Sequence, residues 1–94
     1  MYIRITNGRY DASHEDEVKT MVESTVNSAA RQLPGFGTYI GGLNHENALL
    51  TVITTWETEE QARGFRDLLD AEVLTQIRDM GVELDAPQVY ETVV

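Results

Sequence analysis

Five hydrogen-bond donors in this chain could hold a negatively charged oxygen atom, and all five lie on or beside segments that read as strands: Arg4, Asn7, Tyr39, Trp56 and Tyr90. An amide, an indole N–H, two phenol hydroxyls and a guanidinium are the groups that stabilise a developing oxyanion once water is excluded. Asn7 and Trp56 are the candidate catalytic pair. Arg4, Tyr39, Tyr90 and Phe65 are candidate substrate contacts. Each has a plainer structural reading. Asn7-Gly8 also reads as an ordinary turn. Trp56 and Phe65 also read as core, and Tyr39 and Tyr90 as half-buried sheet residues. Arg4 also reads as an interface residue paired with Glu91 or with a dimer mate, because a buried arginine needs an acceptor.

The elements that would position these groups follow from hydrophobic period. Tyr2 to Tyr10 alternates, with Ile3 and Ile5 on one side and Tyr2, Arg4 and Thr6 on the other. If that strand is regular, Asn7 shares the face of Ile3 and Ile5. Ser13 is expected to cap a helix over Glu15 to Leu33, with Asp16 as its partner. Val18, Met21, Val22, Val26 and Ala29 form the helix stripe, and Pro34-Gly35 ends it. Gly37 to Leu43 reads as a second strand, whose Gly41-Gly42 pair implies a bulge or a close approach by other atoms. The polar stretch Asn44-His45-Glu46-Asn47 is the hairpin loop, and Ala48 to Trp56 the third strand.

Thr58 with Gln61 forms a capping box for the next helix, which buries Ala62, Phe65, Leu68 and Leu69. Gly64 within it either permits close packing or leaves room for a ligand. A further helical segment runs to Met80, Gly81 ends it, and Pro87 introduces a last strand from Gln88 to Val93. The order βαββαβ gives an α+β chain of ferredoxin-like type, a single domain with an antiparallel four-stranded sheet and its first and third strands central.

Two helices cover one face of such a sheet. The third strand is apolar on both: Leu50, Val52 and Trp56 on one side, Leu49 and Ile53 on the other. A face of that kind is larger than the apolar patch a monomer usually exposes. A twofold dimer with its sheets packed together is the expected remedy.

Composition narrows the function classes. With 16 acidic and 7 basic residues the formal net charge is −9, a field that repels phosphate backbones and anionic lipid. Neither nucleic acid nor membrane is an expected partner. No cysteine is present, which excludes disulfides, thiolate metal sites and a cysteine nucleophile. His14 and His45 sit at a helix start and a hairpin tip, where an exposed structural role is expected. No apolar run approaches the roughly 20 residues of a membrane span. The opening Met1-Tyr-Ile-Arg-Ile-Thr alternates like a strand and lacks the apolar block of a signal peptide, so a cytoplasmic location is expected.

Leu33-Pro34-Gly35-Phe36 after a first helix, then Thr55-Trp56-Glu57-Thr58-Glu59-Glu60 leading to Phe65, resembles the antibiotic biosynthesis monooxygenase-like family of dimeric α/β barrels. The likeness runs from about Ile3 to Tyr90. It implies a homodimer, with a pocket between the sheet and the helices of each subunit. It implies oxygenation of an aromatic phenol or quinol with no cofactor, or, on the same scaffold, a non-enzymatic small-molecule-binding or stress-response protein. The family's haem-degrading branch uses a first-strand Asn, a helix Trp and a helix His. Asn7 falls near the first position, but alignment from Trp56 places Phe65 and Thr75 at the other two. Haem degradation is therefore not expected.

Overall fold

The computed structural model describes all 94 residues, Met1–Val94. Alternating β-branched residues build three long strands: β1 (Tyr2–Arg9), β2 (Phe36–Asn44) and β3 (Leu49–Trp56). They pair antiparallel in the order β2–β3–β1, with Tyr2 opposite Trp56 and Asn7 opposite Thr51. Beyond β1, two short pieces share one edge: β4 (Glu83–Leu84) beside Gly8 and Arg9, and β5 (Gln88–Glu91) beside Tyr2 to Ile5.

Strand β4 was not expected from the sequence, and it explains why the final strand begins so late. Gly8 faces Leu84 while Ile5 faces Gln88, so the edge gains one residue on β1 at Asp85–Pro87. That insertion is a bulge, where the ladder is interrupted and the strand bends. Pro87 tolerates the place because it has no N–H to offer.

Helix α1 is continuous through Glu15–Thr20, Met21–Val26 and Asn27–Arg31, and its middle third is π-helical. Its start departs from expectation. Asp11, not Ser13, is the cap. The Asp11 carboxylate accepts the Ser13 N–H at 2.9 Å and the Ser13 hydroxyl at 2.8 Å, and a 3₁₀ turn (Ala12–His14) precedes Glu15. The Ser13 oxygen is thus spent as a donor. Helix α2 (Glu59–Gly64) carries the expected capping box between Thr58 and Gln61, then tightens to a 3₁₀ turn over Phe65–Leu68. Helix α3 (Ala71–Asp79) follows. Gly35 and Gly81 close α1 and α3 with positive φ of 79° and 72°, where a Cβ would be strained. Ala48, expected to begin β3, instead has a φ of 53° and belongs to the hairpin turn.

The core lies between one sheet face and the helices. Val18, Met21, Val22, Val26 and Ala30 of α1, with Ala62, Phe65 and Ile77, pack onto Leu50 and Trp56. The close approach expected at Gly41-Gly42 is real at Gly41, where an added Cβ would stand 2.4 Å from Val22 Cγ1. The irregularity of β2 lies elsewhere, between Phe36 and Tyr39. No helix is long and apolar enough to cross a membrane.

Candidate functional site

Strand parity sorts the candidate residues, because successive side chains leave a strand on opposite faces. Tyr2, Arg4 and Thr6 of β1 face the helices, as do Leu50, Val52, Thr54 and Trp56 of β3. Ile3, Ile5 and Asn7 face the other way, with Leu49, Thr51, Ile53 and Thr55, and with Tyr90, which stands opposite Ile3. Asn7 and Trp56 are therefore on opposite sides of the sheet, and the structure does not bring them together. Asn7 borders a shallow dip with Gly42, Asn44 and Thr51. Trp56 is 1% exposed, its indole N–H donates to Thr54 Oγ1 at 2.8 Å, and its ring lies against Phe36 and Phe65. Its one donor is already used.

Two other candidates are likewise occupied. The Tyr39 hydroxyl donates to the Val22 carbonyl at 2.6 Å, within the π-helical stretch of α1. Burial pushes that hydroxyl up to about 12. Tyr90 is half exposed on the open face, and its hydroxyl donates to Gln88.

Arg4 and Phe65 do converge. They line a narrow slot of about 60 Å³ between the sheet and the helices, walled by Val22, Val26, Leu50 and Val52. Thr6 is the other polar side chain on its sheet side. Arg66, Asp85 and Pro87 border it from α2's extension and from the edge bulge. Arg66 and Asp85 were not singled out by the sequence. The only signal for them was Pro87, which marks an interruption on an edge strand.

Arg4 is 4% exposed, yet it is not the interface residue that one reading of the sequence expects. It points into the molecule. Its Nη1 donates to the Ala62 carbonyl at 2.9 Å and the Arg63 carbonyl at 3.2 Å, near the end of α2, where carbonyls lack helical partners. Its guanidinium carbon stands 5.8 Å from the centre of the Phe65 ring. Its Nε is buried and has no hydrogen-bond partner. The ion pairs of the molecule lie elsewhere, as between Arg63 and Glu59 or Arg9 and Glu83. Burial, then the neighbouring Arg66 charge, pull the Arg4 pKa below its ordinary value, against an opposing pull from Asp67. Chemically the slot is an apolar cleft with a cation at its sheet wall and an unsatisfied donor on that cation.

The remaining polar clusters are surface features. Glu15 accepts from the Tyr10 hydroxyl at 2.7 Å and contacts His45 Nδ1 at 3.0 Å. His14 contacts Glu17 at 3.3 Å. No three His, Asp or Glu side chains converge on one point. Thr75, at the position of the family's haem-ligating histidine, is exposed and donates to the Ala71 carbonyl. Gly64 is not a close-packing glycine, since an added Cβ would meet nothing within 4 Å.

No family model matches the sequence, and no curated protein matches it. Solved structures do match in shape. A protein from Deinococcus radiodurans, provisionally named an antibiotic biosynthesis monooxygenase, superposes with a TM-score of 0.76 at 17% identity, covering 100% of this chain and 94% of that one. A protein from Nitrosomonas europaea with the same provisional name gives 0.75 at 15% identity, covering both chains fully. The chain shares the fold of the antibiotic biosynthesis monooxygenase-like proteins. A dimeric ferredoxin-like protein from an uncultured marine organism also matches, with a TM-score of 0.72 at 9% identity over 100% of this chain and 96% of that one. The ferredoxin-like α+β architecture read from the sequence is thus the architecture observed.

Proposed function

We propose that the slot beside Arg4 and Phe65 takes a single-ring phenol or quinol and that the protein oxygenates it without a cofactor. The observation that carries this reading is the buried, incompletely bonded Arg4 guanidinium at the wall of an apolar cleft. Support also comes from the shared fold, several of whose members carry the monooxygenase name. Such a reaction takes its electrons from the substrate. A phenol C–H becomes a quinone C=O, and the second oxygen atom of O₂ leaves as water with the two hydrogens the ring gives up. The protein's part is to hold the negative end of the substrate on Arg4, set the ring against Phe65 and keep water out. At about 60 Å³ the cleft excludes a polycycle, and a single ring enters only as the side chains around it shift, since a cavity that takes benzene measures roughly 150 Å³.

The same reading makes the protein a homodimer. The open face presents Ile3, Ile5 and Ile53 with the exposed Ile40 and Leu49, and no element of the chain covers it. A second copy packed there leaves the slot, on the opposite face, accessible.

Oxygen uptake with hydroquinone tests the reading. Wild-type protein is expected to consume oxygen faster than the protein-free rate, Arg4→Gln at least about tenfold less, as loss of a charge-assisted contact predicts. Asn7→Ala, on the other face, is expected to match wild type. Protein-free rates across a panel of phenols and quinols would remove the reading. The alternative, a binding protein that does not turn its ligand over, draws on one observation: Thr6 and Arg4, the polar side chains of the sheet wall, take no proton from a neutral phenol, and the one carboxylate bordering the slot, Asp85, lies on the edge bulge.

A further inference from the structure

We infer that the slot recognises a carboxylate, so that its ligand carries a carboxyl group beside the ring or in place of the phenol. The inference rests on the reading of this slot as the ligand site, and it does not require oxygen chemistry.

A guanidinium has two faces for recognition. One is its end, Nη1 with Nη2. The other is its side, Nε with Nη2, whose parallel N–H bonds match the two oxygens of a carboxylate. In Arg4 the protein has spent Nη1 on the Ala62 and Arg63 carbonyls. Those two bonds fix the plane of the group. The side pair remains. Nε has no partner although it is buried, and Nη2 makes no hydrogen bond to the protein.

A buried donor without an acceptor is costly, and a buried cation without an anion more so. The two carbonyls supply partial charge and no neutralising anion. Asp67 is near enough to act electrostatically but is not a hydrogen-bond partner; at the border of the slot Arg66 adds a second positive charge and Asp85 a negative one, and neither Asp67 nor Asp85 bonds the Arg4 guanidinium. The site therefore lacks one planar anion with two acceptor oxygens on one side. A phenolate offers a single oxygen, and at neutral pH a phenol must first lose its proton. A carboxylate is already ionised and fills both donors at once. The apolar walls, Val22, Val26, Leu50 and Val52, then accept the carbon skeleton, with Phe65 over the cation.

Benzoate and benzamide are the probes, since they share shape and differ in charge. Isothermal titration of wild-type protein is expected to show benzoate binding roughly tenfold or more tighter than benzamide, the discrimination of one charge-assisted fork. Arg4→Lys, which keeps the charge and loses the fork, is expected to erase most of that ratio. Benzoate-induced methyl shifts should fall on Val22, Val26, Leu50 and Val52, and not on Ile3, Ile53 or Ile40. Equal affinity for the two probes in wild type would overturn the inference, and so would shifts confined to the open face. Neither result depends on Arg4→Lys folding. The oxygenase reading is judged separately: benzoate can bind here while no phenol is oxidised, and oxygen uptake can occur while benzoate is ignored.

Discussion

Leu50, Val52, Thr54 and Trp56 leave β3 toward the helices, and Leu49, Thr51, Ile53 and Thr55 leave it the other way. Both sets are apolar in large part, but only the first is enclosed by its own chain. On the enclosed face polar groups are used with economy: Thr54 is 1% exposed and serves the Trp56 N–H, and Arg4 serves two helix carbonyls. On the open face polar groups satisfy one another at the surface, as when Thr55 Oγ1 accepts the Thr38 N–H at 2.8 Å. The difference separates two tasks. The enclosed face stabilises the chain and holds the slot, and the open face is the one that the proposed second copy would cover.

The largest effects belong to the enclosed face. Trp56→Ala should cost about 3–5 kcal/mol in chemical denaturation, because an aromatic core residue leaves a cavity the sheet cannot close. That loss should not change with protein concentration. Ile53→Asp, three residues away on the other side, should lower stability chiefly by blocking association, so its deficit should grow with protein concentration relative to wild type. If both variants lose the same amount at every concentration, the division between the faces fails.

Adjacent pairs sharpen the contrast at smaller magnitude. Gly41→Ala drives a Cβ into Val22 and should cost about 1–3 kcal/mol by overpacking. Gly42→Ala finds Thr51 Cγ2 at 3.6 Å, an ordinary contact, and should fold as well as wild type. Thr54→Val strands the buried Trp56 N–H and should cost about 1–3 kcal/mol. Thr55→Val leaves the Thr38 N–H to water and should cost under about 0.5 kcal/mol. A melting series of the four variants reads both comparisons.

The last effect shows only away from neutral pH. The Tyr39 and Tyr10 hydroxyls are both pushed up to about 12, Tyr39 by burial and Tyr10 by its bond to Glu15. Each folded-state value lies above the ordinary 10.0, so the stability they contribute is complete below pH 10 and is lost as pH rises to about 12. Glu15, held below its usual range first by the Tyr10 bond, acts in the opposite sense: its contribution is present at neutral pH and disappears on acidification. Tyr39→Phe should flatten the alkaline limb of a stability–pH curve and leave the acid limb unchanged. An alkaline limb as steep as wild type would contradict the buried-hydroxyl assignment.

Much of this was legible in the sequence because alternation and capping are local. The two faces of β3, the place of Asn7 with Ile3 and Ile5, the Thr58–Gln61 box and the central position of β1 and β3 all follow from spacing. Whether Asn7 and Trp56 share a face depends on the register between strands, which spacing alone does not give. Tyr2 stands opposite Trp56, and five positions along β1 bring Asn7 to the other face. Arg4 also reads as an interface residue because its acceptors are backbone carbonyls 58 and 59 residues away, which no side-chain pattern advertises. The same holds for the bulge at Asp85–Pro87. A two-residue strand such as β4 carries no period, and only its partner on β1 defines it.

Sedimentation equilibrium of the unmodified chain at micromolar concentration bears most closely on the division of the sheet into an enclosed and an associating face. A mass twice the 10.6 kDa of one chain, falling to 10.6 kDa for Ile53→Asp, is the predicted result. A wild-type mass of 10.6 kDa across that range would mean that the open face meets only water, and the assignment of its isoleucines to a second copy would be wrong.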